Sequence, residues 1–423
     1  VSVLTVHERQ LLPFGSDGQL TAGDERALGK LEPLLPRGAL VWERGGVRIG
    51  PFAGIVRAGD LVLEILPKIE VGAPDDAAAR GVLVAMLRTA ADLAVGDTGT
   101  APLGLQRMHL LDVFILDFCQ RAAGLLRRGA IRTYQGLEDD LSALRGRLRL
   151  AEQIRRTGAE QSRLRCGFDE LSPDNPYNRA LKAVLARLLP QAMGPDARGT
   201  VNGLLHRFAE ISDAPCTADD IERLPFNRLT EVWKPVFQRA GWFLRGLYPD
   251  VRAGGVEGLC LLFDMQRLFG TFVGSRLRDE WRSNGADTRV VLQGPPRHLA
   301  DSTGRPAFRL RPDAAVVSTG GGVERLFDAK WKRLDAGAVA RGVAREDAYQ
   351  LAAYAGAYRC PTVVLVYPRP PGLPAGLIET FELRLPSSPR IEVYALDLVA
   401  ATGGQALPMG LMPSRFGGEQ FAC

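Results

Sequence analysis

The sequence predicts a mixed α+β or α/β protein. It has a β-rich N-terminal domain, a helical middle region and a C-terminal domain with a mixed sheet flanked by helices. Three observations predict this. Short apolar runs broken by turn residues fill roughly the first 70 positions. Long stretches of helical periodicity follow, to about 248. The last 170 or so residues then alternate helix, three strands, helix and strand. The expected boundaries are 1–100, 101–253 and 254–423, and YPDVRAGG (248–255) is the Pro/Gly-bearing link into the last domain.

In the first region, VWERGGVRIG (41–50) reads as a hairpin around Gly45-Gly46. LVLEILPKIE (61–70) alternates apolar and polar residues and stops at Pro67. Helical patterns begin near 78 and include HLLDVFILDFCQRAAGLLRRG (109–129), with Gly129 as C-cap, and YNRALKAVLARLLP (177–190). LTEVWKPVFQRAGWFLRGL (229–247) is a further helix. Near the C-terminus, FDMQRLFGTFVGSRLRDEWRS (263–283) and AREDAYQLAAYAGAYR (344–359) read as helices. TRVVLQGP (288–295), FRLRPDAAVVST (308–319), VERLFDAKWKRL (323–334), PTVVLVYPRP (361–370) and IEVYALDL (391–398) read as strands, the fourth apolar enough to be central.

Composition narrows the class. Of 423 residues, 46% are hydrophobic and 24% charged, which excludes a disordered chain. No apolar run reaches the ~18 residues of a membrane span. VSVLTVHERQ at the start has no basic-then-apolar signal pattern, so a cytoplasmic protein with no membrane partner is expected. The net charge of +5 is compatible with a polyanionic partner without requiring one. Six cysteines contain no CxxC pair and four histidines are scattered, so neither a disulfide framework nor a structural metal is indicated. No GxxxxGK[ST] loop and no GxGxxG fingerprint occurs.

The chemistry gathers in one hairpin. With its turn centred between Gly320 and Gly321, Asp313 faces Asp328 on the neighbouring strand. Lys330, two residues on, shares the face of Asp328, while Phe327, Ala329 and Trp331 point the other way. Opposed carboxylates repel, and a divalent cation between them removes the penalty. Mg²⁺ favours one or two carboxylates plus water and phosphate oxygens. An adjacent ammonium can stabilise a phosphorane or help deprotonate water. Asp313 and Asp328 are therefore the candidate metal ligands and Lys330 the candidate catalytic cation, a set suited to phosphodiester hydrolysis. A solvated hairpin with charges on its outer face is the alternative. DAK (328–330) is the single [DE]xK triplet in a chain with only six lysines against 47 arginines.

Gln350 and Tyr354 share a helix face at i, i+4 and either orient water or DNA or form an ordinary polar pair. Tyr349 and Tyr358 read as packing residues. Lys332 is a phosphate contact or a solvated rim charge. Arg145, Arg147 and Arg149 read as an exposed strand or turn edge that could alternatively meet phosphates. Trp233, Trp242 and Phe243 are core or docking anchors. Lys68 is a solvated strand end, and Asp174 and Asn175 are turn formers.

RPD (311–313), DAK (328–330) and the Q-x-x-x-Y helix (350–354) resemble the PD-(D/E)xK nuclease superfamily. LVLEILPKIE, LRGRL (144–148), DELSPDNPYNRALKAVLARLL (169–189) and LLFDMQRLFGTFV (261–273), in that order, resemble the McrC family, the nuclease subunit of modified-cytosine restriction systems. The resemblance implies a C-terminal PD-(D/E)xK nuclease domain using Mg²⁺, with Mn²⁺ as a substitute. It also implies cleavage of double-stranded DNA bearing modified cytosine, within a complex with an McrB-like AAA+ GTPase hexamer. The N-terminal half would dock on that hexamer and stimulate GTP hydrolysis. In the family the helix opening the nuclease domain usually reads FDMN-x-LFE. Here FDMQRLFGT places Gln266 for the Asn and Gly270 for the Glu, while Asp264 and Glu280 lie six and ten residues from Gly270. Two other readings stay open: a catalytically degenerate adaptor that activates the motor and binds DNA, and a free-standing PD-(D/E)xK repair nuclease.

Overall fold

The computed structural model describes residues 2–15, 19–69, 75–91, 109–156, 162–249, 257–283, 288–386 and 388–411. The chain divides into two compact units, 1–110 with 250–423, and 111–249. This differs from the three expected domains. The physical reason is strand pairing between the N-terminal region and the segment after residue 256. Most of the proposed 248–255 link lies outside the described residues.

In the first unit, β1 (Ser2–His7), β2 (Leu11–Pro13), α1 (Ala22–Leu31), β3 (Leu40–Glu43), β4 (Gly46–Ile49), β5 (Phe52–Ala58), β6 (Leu61–Leu66) and α2 (Asp76–Ala91) form the N-terminal part. The 41–50 hairpin is present: Glu43 pairs with Gly46, so the turn is Arg44-Gly45. α1 was not anticipated, although Thr21 and Asp24 cap each other reciprocally at its start. β6 lies parallel to β1 and antiparallel to β5, and it is buried throughout. Its Glu64 is 2% exposed and pairs with Arg80 of α2 at 2.6 Å. Burial alone would raise this carboxyl, but Arg80 holds it below its usual range.

β7 (Glu257–Asp264) pairs antiparallel with β5. At Gly54 (φ +141°) a Cβ would run into the Leu261 carbonyl, so this close approach requires glycine. Then follow α3 (Met265–Ser283), β8 (Thr288–Leu292), β9 (Arg297–Ser302), β10 (Arg305–Leu310), β11 (Ala314–Ser318), β12 (Val323–Ala329), α4 (Arg345–Tyr358), β13 (Thr362–Pro368), β14 (Gly376–Glu382), β15 (Arg390–Leu396) and α5 (Leu398–Thr402). The mixed six-stranded sheet has the order β8-β11-β12-β13-β15-β14. β13 is central, as its apolar run predicts, and parallel to both neighbours. Leu326, Leu351, Tyr354, Val363, Leu365 and Val393 pack in its core.

Two expected strands are shorter than the sequence suggests. The 308–319 run breaks at Arg311-Pro312-Asp313, because Pro312 has no N–H to continue the ladder. β12 stops at Ala329, well before Leu334. Of the ribbon β9–β10 only Phe308–Leu310 falls in an expected strand; the rest shows no apolar alternation.

The second unit contains the helices Pro176–Leu188, Pro195–Arg207 and Lys234–Gly246 and most of Leu110–Leu126. It also holds a hairpin, Thr133–Leu141 with Leu164–Ser172, whose charged residues concealed it. Phe118 meets Phe243 edge-on at 5.8 Å, and buried Asp117 accepts from Arg239 at 2.6 Å. Trp233 and Phe243 are core residues, while Trp242 lies under the Arg239 guanidinium. Arg149 pairs with Glu138 at 2.8 Å and Arg145 lies over Phe168, at the edge expected for this segment. Asn175 caps the 176–188 helix, and Arg179 and Ser212 hold the Asp174 carboxyl far below its usual range.

Candidate active site

The hairpin register brings the acidic pair together. Ala314 faces Phe327, which continues to Asp313 opposite Asp328. Near the turn Val317 pairs with Val323. An irregularity between Val316 and Val317 then absorbs one residue and restores the register deduced from the glycines. Asp313 Oδ2 accepts from the Ala329 N–H at 2.8 Å.

Burial sets the electrostatics. Asp328 is 4% exposed. Loss of solvation raises its carboxyl, against the pull of Lys330. Desolvation and then the Asp328 charge push Asp313 up to about 7. Lys330 Nζ lies 2.6 Å from Asp328 Oδ2 and 3.6 Å from Asp347 Oδ1. Burial lowers Lys330, but the surrounding carboxylates raise it overall, so it stays an ammonium.

Gln350 Oε1 accepts from Lys330 Nζ at 2.8 Å, and its Nε2 donates to the Tyr354 hydroxyl at 2.8 Å. Both ends of this amide are therefore engaged within the protein. Gln350 thereby helps to position Lys330, with a second N–H and a second oxygen lone pair left over. Lys332 pairs with Asp347 at 2.8 Å at the rim. Tyr358 packs in the core as expected, but Tyr349 is 72% exposed.

Three residues of this site were missed. Asp347 is 5% exposed and counters both lysines; its signal was the i, i+3 spacing to Gln350. Gln266 bridges the end of β12, donating to the Ala329 carbonyl at 2.6 Å and accepting from the Trp331 N–H at 2.8 Å. It clamps the backbone on both sides of Lys330. Glu8 is buried and accepts from Trp331 Nε1 at 2.6 Å, a contact across 323 positions that no local pattern announces. Trp331→Phe keeps an aromatic ring but removes this donor and leaves space where the indole's second ring packed. It is expected to cost about 1–3 kcal/mol in urea denaturation; a change under about 0.5 kcal/mol would mean the hydrogen bond is not stabilising.

α3 approaches the site at Gly270. A Cβ there would stand 2.5 Å from Asp313 Oδ1. The nearby acids are engaged elsewhere: Asp264, at the end of β7, accepts from the Arg267 N–H, and on α3 Asp279 lies by Arg278 while Glu280 holds Arg276 and the Leu407 N–H. Among the described residues no group of three or more His, Cys, Asp or Glu could hold a metal. The pair Asp313 and Asp328 still suits a magnesium ion, which completes its shell with water and phosphate. Lys330 Nζ is the cation at Asp328 Oδ2, and the two carboxylates together carry more negative charge than that one ammonium offsets.

The family model for the McrBC 5-methylcytosine restriction system component matches residues 47–368. Among solved structures, the chain is similar to one in a refined half-complex from a tetradecameric assembly of Thermococcus gammatolerans McrB AAA+ hexamers with bound McrC. Identity there is 21%, the TM-score is 0.71, and 94% of this chain and 95% of that chain are covered. A chain of the cryo-EM Thermococcus gammatolerans McrBC complex matches at 23% identity and TM-score 0.53, covering 65% of this chain and 86% of that one. Likeness at these identities shows the fold. Among curated proteins no match is found. The family model spans well over half of the chain, which therefore belongs to the McrBC family of 5-methylcytosine restriction system components.

Proposed function

We propose that this chain is the Mg²⁺-dependent endonuclease subunit of a GTP-driven complex that cuts double-stranded DNA carrying modified cytosine. Its partner is an McrB-like AAA+ hexamer, whose GTP hydrolysis it also stimulates. The observation that carries the reading is the convergence of two buried carboxylates and one held ammonium at the end of β12. Family membership supports the substrate class. The similar solved chain comes from an assembly of McrB hexamers with bound McrC, which supports the partner. The sequence has no P-loop of its own, in keeping with a separate motor. No helix among the described residues is long and apolar enough to cross a membrane.

Asp313 and Asp328 would hold the metal, which supplies a Lewis acid at the scissile phosphate and a more acidic water. Lys330 places positive charge where the phosphorane develops. Gln350, Asp347 and Gln266 keep it there. The test is reconstitution. The chain alone should cut methylated DNA little, and adding the AAA+ partner, GTP and Mg²⁺ should restore cutting. Robust cutting without a partner would favour a free-standing nuclease. Gly270 beside Asp313 favours a second reading, a motor activator with a degenerate site; stimulated GTP turnover with no cleavage under any condition would select it.

The raised Asp313 carboxyl gives a pH prediction. Its proton must leave before a cation binds, so the binding form is complete above about pH 7 and is lost below it. Titration calorimetry should show Mg²⁺ affinity falling by up to about tenfold per pH unit between pH ~7 and pH ~5. Affinity that stays level across this range removes Asp313 as a ligand.

A further inference from the structure

β9 and β10 form a two-stranded ribbon of their own, outside the five- and six-stranded sheets. Isolated ribbons are marginal in water, and this one buries little of itself. All six residues of β9 are exposed, and in β10 only Leu310 is buried, in the core of the six-stranded sheet. The Tyr358 hydroxyl secures the ribbon's base by donating to the Pro295 carbonyl at 2.7 Å. The register sets His298 against Arg309, Ala300 against Ala307 and Ser302 against Arg305.

Three features of the ribbon ask for a partner. Residues 297–311 carry four arginines, Arg297, Arg305, Arg309 and Arg311, and one acid, Asp301. None of the four guanidiniums has an ion pair or hydrogen bond among the described residues, whereas Arg48, Arg80, Arg179 and Arg239 are each held by a carboxylate or carboxylates. Phe308 is 74% exposed and held at φ +57°, a conformation that bulky residues avoid, and exposed Leu299 lies on the neighbouring strand, between His298 and Ala300 that pair with Arg309 and Ala307. The ribbon also runs directly into the site, with Asp313 three residues after Leu310.

We propose that the ribbon 297–310 is a duplex-DNA grip, with Arg305 and Arg309 on phosphates across the minor groove and Phe308, beside Leu299, pressed against a base step. This rests on the nuclease reading, since it holds DNA at that site. The arginines match the polyanion, and phosphate contacts of this kind position a protein without reading sequence. An apolar side chain from a minor-groove element partly unstacks a step.

The test uses the full chain, a labelled duplex carrying 2-aminopurine, no Mg²⁺ and a salt series. For R305A/R309A, affinity should fall about tenfold at moderate salt, and the slope of log K against log salt should fall by about 1.8, roughly 0.9 per lost phosphate contact. R305K/R309K should keep the slope. Phe308→Asn, which tolerates the same backbone angle, should also keep it but lose the rise in 2-aminopurine fluorescence. If the wild type binds and cuts but R305A/R309A binds with unchanged affinity and slope, the ribbon assignment fails and the nuclease reading stands. Ribbon-dependent binding with no cutting, even with partner, GTP and Mg²⁺, keeps the ribbon and ends the nuclease reading. A wild-type chain that does not bind duplex overturns the ribbon assignment, while cutting restored by partner, GTP and Mg²⁺ would leave the nuclease reading standing. A fluorescence rise that survives Phe308→Asn removes Phe308 from the base step.

Discussion

Asp328→Asn is expected to leave the chain folded and to reduce DNA cleavage about a thousandfold or more, while GTP turnover by the AAA+ partner is unchanged. The substitution keeps the volume of a side chain that is 4% exposed, so no cavity opens. It removes one of two metal ligands and the charge that lies against Lys330. A thousandfold corresponds to about 4 kcal/mol of transition-state stabilisation, within reach of a lost Lewis acid. Circular dichroism and thermal melting would verify the fold. Single-turnover cleavage and a phosphate-release assay would separate the two activities. Cleavage persisting in Asp328→Asn would falsify the assignment of this site. Parallel loss of cleavage and GTP turnover would point to impaired docking.

Gly270→Ala should act through the same site by a different route. Alanine gains helix propensity worth about 1 kcal/mol over glycine. The added methyl, however, would meet Asp313 Oδ1 at 2.5 Å and Oδ2 at 2.9 Å. The least costly relief is rotation of that carboxylate, which forfeits its hydrogen bond from Ala329. The penalty thus falls on the position of a metal ligand more than on the fold. Displacement of about 1 Å at a reacting centre can cost about a hundredfold, and that is the expected loss in cleavage, accompanied by weaker Mg²⁺ binding. Gly270→Glu, which restores the residue type usual at this helix position, should not rescue, because its Cβ meets the same obstruction. Wild-type activity in Gly270→Ala would show that Asp313 has other room to move.

The strands that bury both faces were legible. β13 is a short apolar run between turn signals, β12 ends in the buried stretch Leu326–Ala329, and the Gly320–Gly322 turn fixed the pairing of Asp313 with Asp328 well enough to survive an irregular residue. The [DE]xK triplet and the Gln350–Tyr354 spacing led to the right elements. Charged, solvent-facing strands were not legible: β9, most of β10 and the hairpin Thr133–Leu141 with Leu164–Ser172 carry no period-two apolar signal. The contacts of Gln350 to Lys330 and Tyr354 could not be read, because the sequence does not show which side chains meet the two ends of the amide. Glu8 lay beyond reach for a related reason. Its partner is 323 positions away, and hydrogen bonds between distant segments leave no trace in either segment alone.

That long-range bond, together with the pairing of β5 and β7, bears on how the molecule can be dissected. A fragment starting at residue 257 would strip β7 of its ladder, uncover the buried face of Leu261 and strand the Trp331 indole without an acceptor. The C-terminal segment is therefore not an excisable cassette. Truncations, fusions and domain swaps should retain the opening 66 residues alongside everything from residue 257 onward, or they will yield aggregates instead of a folded unit.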